Sequence, residues 1–228
     1  MRILAVETSG VTGGVALLHD TTVLAERPLL REGRRHAGSL VKEADEILRS
    51  AGCPPSSVDV VAVSIGPGSF TGLRVGVVFA KTWCYVTGAK LVAVDTLQAA
   101  AEQAPPDVER IFAVADAQRG DLYVGEYRRA DDGTASAGPI AIVHAGEFTH
   151  DRSAGDFVTG AALDRHASLF ADRCRLASPS ERCARAVTVA RMGRRSAAAG
   201  EFADFWTIEP FYVRKSAAEE KRDAAENA

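Results

Sequence analysis

The apolar positions in the first half of the chain predict a meander of short strands followed by alternating helices and strands. Strands are predicted at residues 2–9, 13–18, 23–26, 58–65 and 90–94, where apolar runs are bounded by turn residues. Residues 37–51 instead carry apolar side chains at three- and four-residue spacing, which predicts an amphipathic helix. Further helices are predicted at 73–86 and 96–103. This order is typical of an α/β fold with a mixed sheet.

The second half of the chain predicts a similar order of elements from a different sequence. Strands are expected at 110–115, 122–127, 140–144 and 157–160. A turn at 131–133 separates the second and third of these strands, and a helix follows the fourth. The first three would form a second meander.

Two prolines mark the predicted division between the halves. Pro105 and Pro106 end the helix before the second meander begins. We therefore predict two lobes, at 1–106 and 107–214, each a mixed sheet with flanking helices. The alanine-rich tail at 215–228 carries charges of both signs and is predicted to be flexible.

The helix predicted at 73–86 is apolar almost all round. Its polar residues are Arg74, Lys81 and Thr82. A helix lying on a single core would present a polar stripe to water, so this pattern predicts contact with a partner. Gly72, Gly76 and Ala80 would form a smooth ridge for a second helix backbone. The alternative is that the helix is enclosed within its own domain.

A turn rich in glycine joins the strand at 58–65 to this helix. It consists of Gly66, Pro67, Gly68, Ser69, Phe70, Thr71 and Gly72. Ser69 or Thr71 can cap the helix, and free N–H groups at its start could hold an anion. The turn lacks the Gly-Lys-Ser/Thr ending of a P-loop and the spacing of a dinucleotide-binding fingerprint. We interpret it as a structural turn, with contact to a nucleotide left open.

Several segments together resemble the bacterial TsaB family of tRNA threonylcarbamoyladenosine biosynthesis proteins. The matching segments are 3–9 with Gly13 and Gly14, His36, 66–76, 94–97, 116–123 and 210–214. The run Gly66-Pro67-Gly68-Ser69-Phe70-Thr71-Gly72-Leu73-Arg74 is the most specific of them. The resemblance is dense up to about residue 125 and implies two actin-like lobes of the ASKHA, RNase H-like architecture.

The resemblance also implies a function and partners. Members of this family are non-catalytic dimerisation partners of the threonylcarbamoyltransferase TsaD, which modifies adenosine 37 of tRNA. It implies a heterodimer with TsaD, a further partner TsaE, a homodimer when the chain is alone, and only indirect contact with tRNA. No cofactor would be required by this chain, whereas the complex uses ATP and magnesium. The implied interface residues are His36, Leu40, Leu73, Arg74, Gly76, Val77, Ala80, Lys81 and Trp83.

An ATP-binding phosphotransferase or ATPase of the actin-like superfamily is the alternative. Such enzymes carry an acidic residue at the end of the first strand, near the metal and the phosphates. The residues that could form a degenerate nucleotide site are Glu7, Thr8, Ser9, Gly13, Gly14 and Asp116. They are a thin basis for catalysis, because phosphoryl transfer also needs a cradle, metal ligands and a positioned nucleophile.

Composition and charge bear on two further classes of function, metal binding and nucleic-acid binding. The five histidines include no HExxH motif and no pair four residues apart, and the four cysteines include no CxxC pair, so no metal site is predicted. The net charge of −3 gives no global attraction to nucleic acid. Residues 164–195 hold eight arginines against three acids, which indicates either a tRNA contact or a solvated helical face.

The distribution of apolar residues also predicts where the protein resides. No run approaches the roughly 18 apolar residues of a membrane span. Residues 3–6 are too short for the apolar core of a signal peptide. We expect a cytoplasmic protein without membrane contact.

Overall fold

The computed structural model describes residues 1–29, 36–131, 133–170 and 173–214, which form two mixed β-sheets with flanking helices. The first sheet consists of β1 (Arg2–Glu7), β2 (Gly14–His19), β3 (Thr22–Pro28), β4 (Val60–Gly66) and β5 (Lys90–Asp95). Its strand order is β3-β2-β1-β4-β5. The first three strands are an antiparallel meander, and β4 and β5 extend it in parallel. The predicted order of elements in the first half is confirmed.

Helices cover the first sheet on both faces. On one face lie α1 (His36–Ser50) and α2 (Phe70–Thr87), and the other face is covered mainly by the last helix of the chain, described below. The first half also contains α3 (Thr96–Ala101) and a short 3-10 turn at Pro55–Ser57. Leu4 and Val6 of β1 face the core under α1 and α2, whereas Ile3 and Ala5 face the opposite core. This alternation follows from the two-residue period of a strand, and both faces are apolar because both are covered.

The second sheet contains two short strands more than the four predicted from the sequence. Its strands are β6 (Arg110–Asp116), β7 (Asp121–Ala130), β8 (Gly133–Ser136), β9 (Ala141–His144), β10 (Phe157–Thr159) and β11 (Arg175–Leu176). The order is β11-β10-β6-β7-β8, and β9 also pairs with β7. The prediction missed β8 because β7 is ten residues long and accommodates two short partners, β9 at its beginning and β8 at its end.

The remaining helices are short except for the last one. They are α4 (Ala145–His150), α5 (Leu163–His166) and α6 (Ala186–Ala198), with a 3-10 turn at Ala167–Phe170. The predicted helix after the strand at 157–160 corresponds to α5, which is a single turn.

Each half of the chain contributes one helix to the core of the other half's sheet. Val189 of α6 packs with Ile3 in the core of the first sheet. In return, Leu97 of α3 packs with Ile111 and Tyr127 in the core of the second sheet. A boundary after residue 106 separates the strands of the two sheets, but α3 and α6 each cover the sheet of the other half. The division into 1–106 and 107–214 stays a prediction, and the tail 215–228 lies outside the described residues.

Residues 202–214, called the strap below, connect the first sheet to the second. The strap begins beside β5, where Ala203 forms a bridge with Leu91. It ends at the second sheet, where Arg214 Nη2 donates to Asp121 Oδ2 at 2.6 Å. The strap therefore spans both halves of the molecule.

Candidate functional site

The glycines of α2 face the end of β1. A Cβ at Gly72 would lie closer than 3.0 Å to the carbonyl oxygen of Thr8, and one at Gly76 equally close to Thr8 Oγ1. Ala80, on the same side of the helix, is fully buried. The expectation that this ridge receives a second helix is corrected here, because the small residues let α2 approach its own sheet.

Most of the implied interface residues lie in the chain's own core. Leu40, Val77 and Ala80 pack in the core between α1, α2 and the first sheet, and Leu73 and Gly76 are buried as well. Arg74 is exposed, whereas Lys81 and Trp83 are half-buried. The side chain of His36, at the start of α1, lies outside the described residues. Since the enclosed side chains have no access to another molecule in this conformation, any docking must use their outward neighbours.

The outward side of α2 carries exposed apolar side chains. Val78, Tyr85 and Val86 are 61%, 66% and 73% exposed, and they lie on the side of the helix opposite the buried Ala80. Val41 of α1 is 63% exposed. These four residues are called the docking face below. Sequence reasoning found the apolar helix but missed these residues, because the pattern at 73–86 is too uniform to indicate which side meets the sheet.

The two cations of α2 are held by the strap. Lys81 Nζ donates to the carbonyl oxygens of Trp206 and Ile208, both at 3.1 Å. Arg74 Nε donates to the hydroxyl of Tyr212 at 3.1 Å. Both cations of the apolar helix therefore have intramolecular partners in the strap, and the docking-face residues of α2 are themselves uncharged.

The glycine-rich turn packs against the end of β1. Ser69 caps α2 by accepting the N–H of Gly72 at 3.3 Å, and its own N–H donates to the carbonyl of Ser9 at 2.7 Å. A Cβ at Gly68 would lie 2.6 Å from that same Ser9 oxygen. Gly66 has a φ of +121°, which side chains rarely adopt. The glycines thus allow two backbone segments to meet closely.

Glu7, the acidic residue of the candidate nucleotide site, is enclosed at the end of β1. The N–H and hydroxyl of Ser9 donate to Glu7 Oε1 at 2.6 Å and 2.5 Å. Burial raises the pKa of Glu7, although Ser9 and the hydroxyl of Ser64 favour its charged form. The hydroxyl of Ser64 lies near the carboxyl but is not in position to form a hydrogen bond with it. No donor among the described residues bonds to Glu7 Oε2. An enclosed carboxyl whose charged form is disfavoured by burial is poorly suited to binding a metal.

The other candidate nucleotide residues are also occupied by the chain itself. A Cβ at Gly14 would meet the side chain of Ala186, at the start of α6, at 3.4 Å, and Gly13 beside it is buried. Asp116 accepts the N–H of Gln118 at 2.7 Å and pairs with Arg165 at 2.9 Å. These residues do not fit a magnesium–nucleotide site as they are arranged. Within the described ranges, no group of three or more His, Cys, Asp or Glu residues is placed to hold a metal ion.

A buried carboxylate joins the two halves. Asp95 caps α3 by accepting the N–H groups of Leu97 and Gln98, and its second oxygen accepts the hydroxyl of Tyr127 on β7 at 3.2 Å. Burial raises the pKa of Asp95. Burial and the neighbouring carboxylate also raise the pKa of Tyr127. This contact fixes the first sheet against the second.

Ion pairs within the chain engage most of the arginines at 164–195. The stretch has eight arginines, and among the described residues five form ion pairs: Arg165 with Asp116, Arg175 with Asp107, Arg182 with Asp164, Arg185 with Glu26 and Arg195 with Glu102. The pairs of Arg185 and Arg195 link α6 and its start to the first half of the chain. A tRNA contact by this stretch stays a prediction.

Comparisons with known proteins agree with this architecture. A family model described as TsaD, tRNA N6-adenosine threonylcarbamoyltransferase, matches residues 31–165. The tRNA threonylcarbamoyladenosine biosynthesis protein TsaB of Escherichia coli is 32% identical over 164 residues, which cover 70% of each chain. TsaB of Bacillus subtilis is 34% identical over 128 residues, or 56% of each chain. An uncharacterized protein of Mycobacterium tuberculosis is 33% identical, covering 75% of this chain and 77% of its own.

A solved structure extends the likeness to almost the whole chain. YeaZ from Pseudomonas aeruginosa superimposes with a TM-score of 0.82 at 25% identity, covering 93% of this chain and 99% of that one. The predicted α/β fold with two mixed sheets is confirmed. Among the described helices, none is both long and apolar enough to cross a membrane. The chain therefore belongs to the TsaB family of tRNA threonylcarbamoyladenosine biosynthesis proteins and has a role in forming that nucleoside in tRNA.

Proposed function

We propose that this chain is a non-catalytic subunit that pairs with TsaD through the docking face. The observation that carries the proposal is the exposure of Val78, Tyr85 and Val86 on a helix whose other side is buried in the core. Burying an exposed apolar side chain contributes roughly 1.5–3 kcal/mol when burial is complete. Contact of this face with water is therefore unfavourable, and contact with an apolar surface of a partner would lower the free energy.

The state of the carboxylates supports the non-catalytic part of the proposal. Glu7 is enclosed and bonded to Ser9, and Asp116 is paired with Arg165. The alternative, an ATPase or phosphotransferase, would require both carboxylates to face a nucleotide. We assign the use of ATP and magnesium to the complex and not to this chain, with TsaE as a further subunit. The tRNA would be contacted through the complex, in the cytoplasm, and the isolated chain would pair with a second copy.

A charge on the docking face tests the proposal. Val78→Asp places an unpaired carboxylate where the partner would exclude water, which strongly disfavours association. Leu169→Asp is the matched control, because Leu169 is an exposed apolar residue of the second half, 45% exposed. A charge at Ala80 would test folding instead, since Ala80 is fully buried.

The measurement is size-exclusion chromatography with light scattering, on each variant mixed with TsaD of the same organism. We expect a one-to-one complex for the wild type and for Leu169→Asp, and no complex for Val78→Asp. Circular dichroism must show the same fold for all three chains. A folded Val78→Asp chain that binds TsaD as tightly as the wild type would refute the proposal.

A further inference from the structure

An exposed aromatic pair extends the docking face onto the strap. Trp206 is 67% exposed, and its ring meets that of Tyr85 edge to face, with the ring centres 5.5 Å apart. At the other end of α2, the ring of Tyr212 lies 5.0 Å from that of Phe70. The strap therefore follows α2 in the reverse direction and adds aromatic side chains beside the docking face.

The backbone that carries Trp206 is held in place. Asp204 accepts the N–H of Trp206 at 2.9 Å and the hydroxyl of Thr207 at 3.2 Å. The carbonyl of Trp206 accepts from Lys81, and the neighbouring Phe205 packs on the core. The chain thus presents an apolar ring from a fixed turn, and a preorganised side chain loses little entropy when a partner binds it.

The size of the exposed surface indicates that α2 alone is not the whole interface. The exposed parts of Val78, Tyr85 and Val86 offer roughly 300 Å², taking about 100 Å² for a valine and 200 Å² for an aromatic side chain. A stable interface buries about 800 Å² on each partner. Trp206 adds roughly 150 Å², and its strap neighbours Phe202, Phe211 and Tyr212 are 38–46% exposed. With the strap included, the apolar surface approaches the size that a stable complex needs.

The charge of the strap indicates which kind of partner fits. The strap carries two exposed acids, Asp204 and Glu209, and the exposed Glu201 directly precedes it, whereas its arginine, Arg214, is paired with Asp121. The nearby Lys81 already donates to two carbonyl groups of the strap. Nucleobases can stack on exposed aromatic rings, but the phosphates that accompany them would be repelled here. A protein surface with an apolar centre and a basic rim is complementary to this charge.

We infer that Trp206 and Tyr85 anchor the complex, and that the surface of TsaD facing them is an apolar pocket rimmed by lysine or arginine. This inference rests on the proposed function, because it extends the same docking face. Tryptophan and tyrosine dominate binding at the centres of protein interfaces, where truncation to alanine typically weakens binding on the order of 30-fold or more.

The experiment compares binding of purified TsaD by this chain and by four variants, using isothermal titration calorimetry. Trp206→Ala and Tyr85→Ala should each raise Kd on the order of 30-fold, whereas the control Leu169→Ala should leave it unchanged. Glu209→Lys should weaken binding and reduce its dependence on salt, since it removes an attraction to the basic rim. Thermal unfolding of each variant verifies that the fold is retained.

Val78→Asp separates this inference from the proposed function. If Val78→Asp abolishes binding but Trp206→Ala changes Kd by less than threefold, the proposed function stands and the extension onto the strap is wrong. If neither variant affects binding, both are wrong. The inference is also overturned if Trp206→Ala leaves TsaD binding intact and instead weakens the binding of tRNA to this chain.

Discussion

Replacing Gly76 by alanine tests whether the glycines of α2 serve the contact with β1. In an exposed helix, glycine to alanine stabilises by about 1 kcal/mol, because alanine loses less backbone entropy. At Gly76 the added Cβ would fall closer than 3.0 Å to Thr8 Oγ1 and at 3.4 Å from Val63 Cγ2. Thr8 is fully buried, so its side chain has no free space into which to rotate. We therefore expect α2 to move away from the sheet.

The magnitude follows from these two opposing effects. Overpacking a core typically costs 1–3 kcal/mol, which outweighs a propensity gain of about 1 kcal/mol. We expect Gly76→Ala to lower the free energy of unfolding by about 1 kcal/mol, the middle of the net range. The control is Gly38→Ala in α1, where no heavy atom lies within 4 Å of the added Cβ. That variant should be more stable than the wild type by roughly 0.5–1 kcal/mol.

Urea denaturation, followed by circular dichroism, measures both variants. A second substitution identifies the clash, because Thr8→Ala removes the hydroxyl that the new Cβ would meet. Its effect should be about 1 kcal/mol more favourable in the Gly76→Ala background than in the wild type, since contacting residues are energetically coupled. Stabilisation of Gly76→Ala comparable to that of Gly38→Ala, or equal effects of Thr8→Ala in both backgrounds, would contradict the packing described here.

Two further predictions concern the buried ionisable groups. Because the folded chain holds the proton of Glu7 more tightly than the unfolded chain, this group's contribution to stability falls as pH rises above its ordinary pKa of 4.5. Glu7→Gln, which still accepts from Ser9, should be the more stable chain at pH 7 in urea titrations, with the difference vanishing below pH 4.5; a less stable variant at pH 7 would contradict this. Tyr127→Phe removes the hydroxyl that donates to Asp95 and should cost roughly 1 kcal/mol of unfolding free energy, in urea titrations, with no loss of secondary structure. Unchanged stability would mean that this contact does not hold the halves together.

Much of the fold could be predicted from the sequence, because strands and helices leave distinct apolar periods. The meander at the amino terminus and the cap at Ser69 are local features, and both are present. The strand β8 could not be predicted in this way. Its existence depends on the length of β7, which pairs with β8 and β9 at different ends.

The candidate site was harder to predict from the sequence than the fold. The sequence indicated that α2 contacts more than water, but a uniformly apolar helix does not indicate which of its sides lies on the sheet. Only the position of Thr8 under Gly76 determines that Val77 is buried and Val78 is exposed. The position of Trp206 beside the docking face was missed for a different reason. Trp206 lies more than a hundred residues from α2 in the chain and contacts this helix only in the folded protein.

The exchange of α3 and α6 has a consequence for the order in which the protein folds during synthesis. The core that contains Ile3 and Val92 is closed by Val189 and Ala190, which emerge from the ribosome almost a hundred residues later. Until then only Ala99 of α3 covers this face of the first sheet, so the amino-terminal half cannot complete its core in advance. Domains that fold as they are made normally finish the first unit before the second. Here both halves must reach the native state together, and a chain cut between them should yield two fragments that fold only when combined.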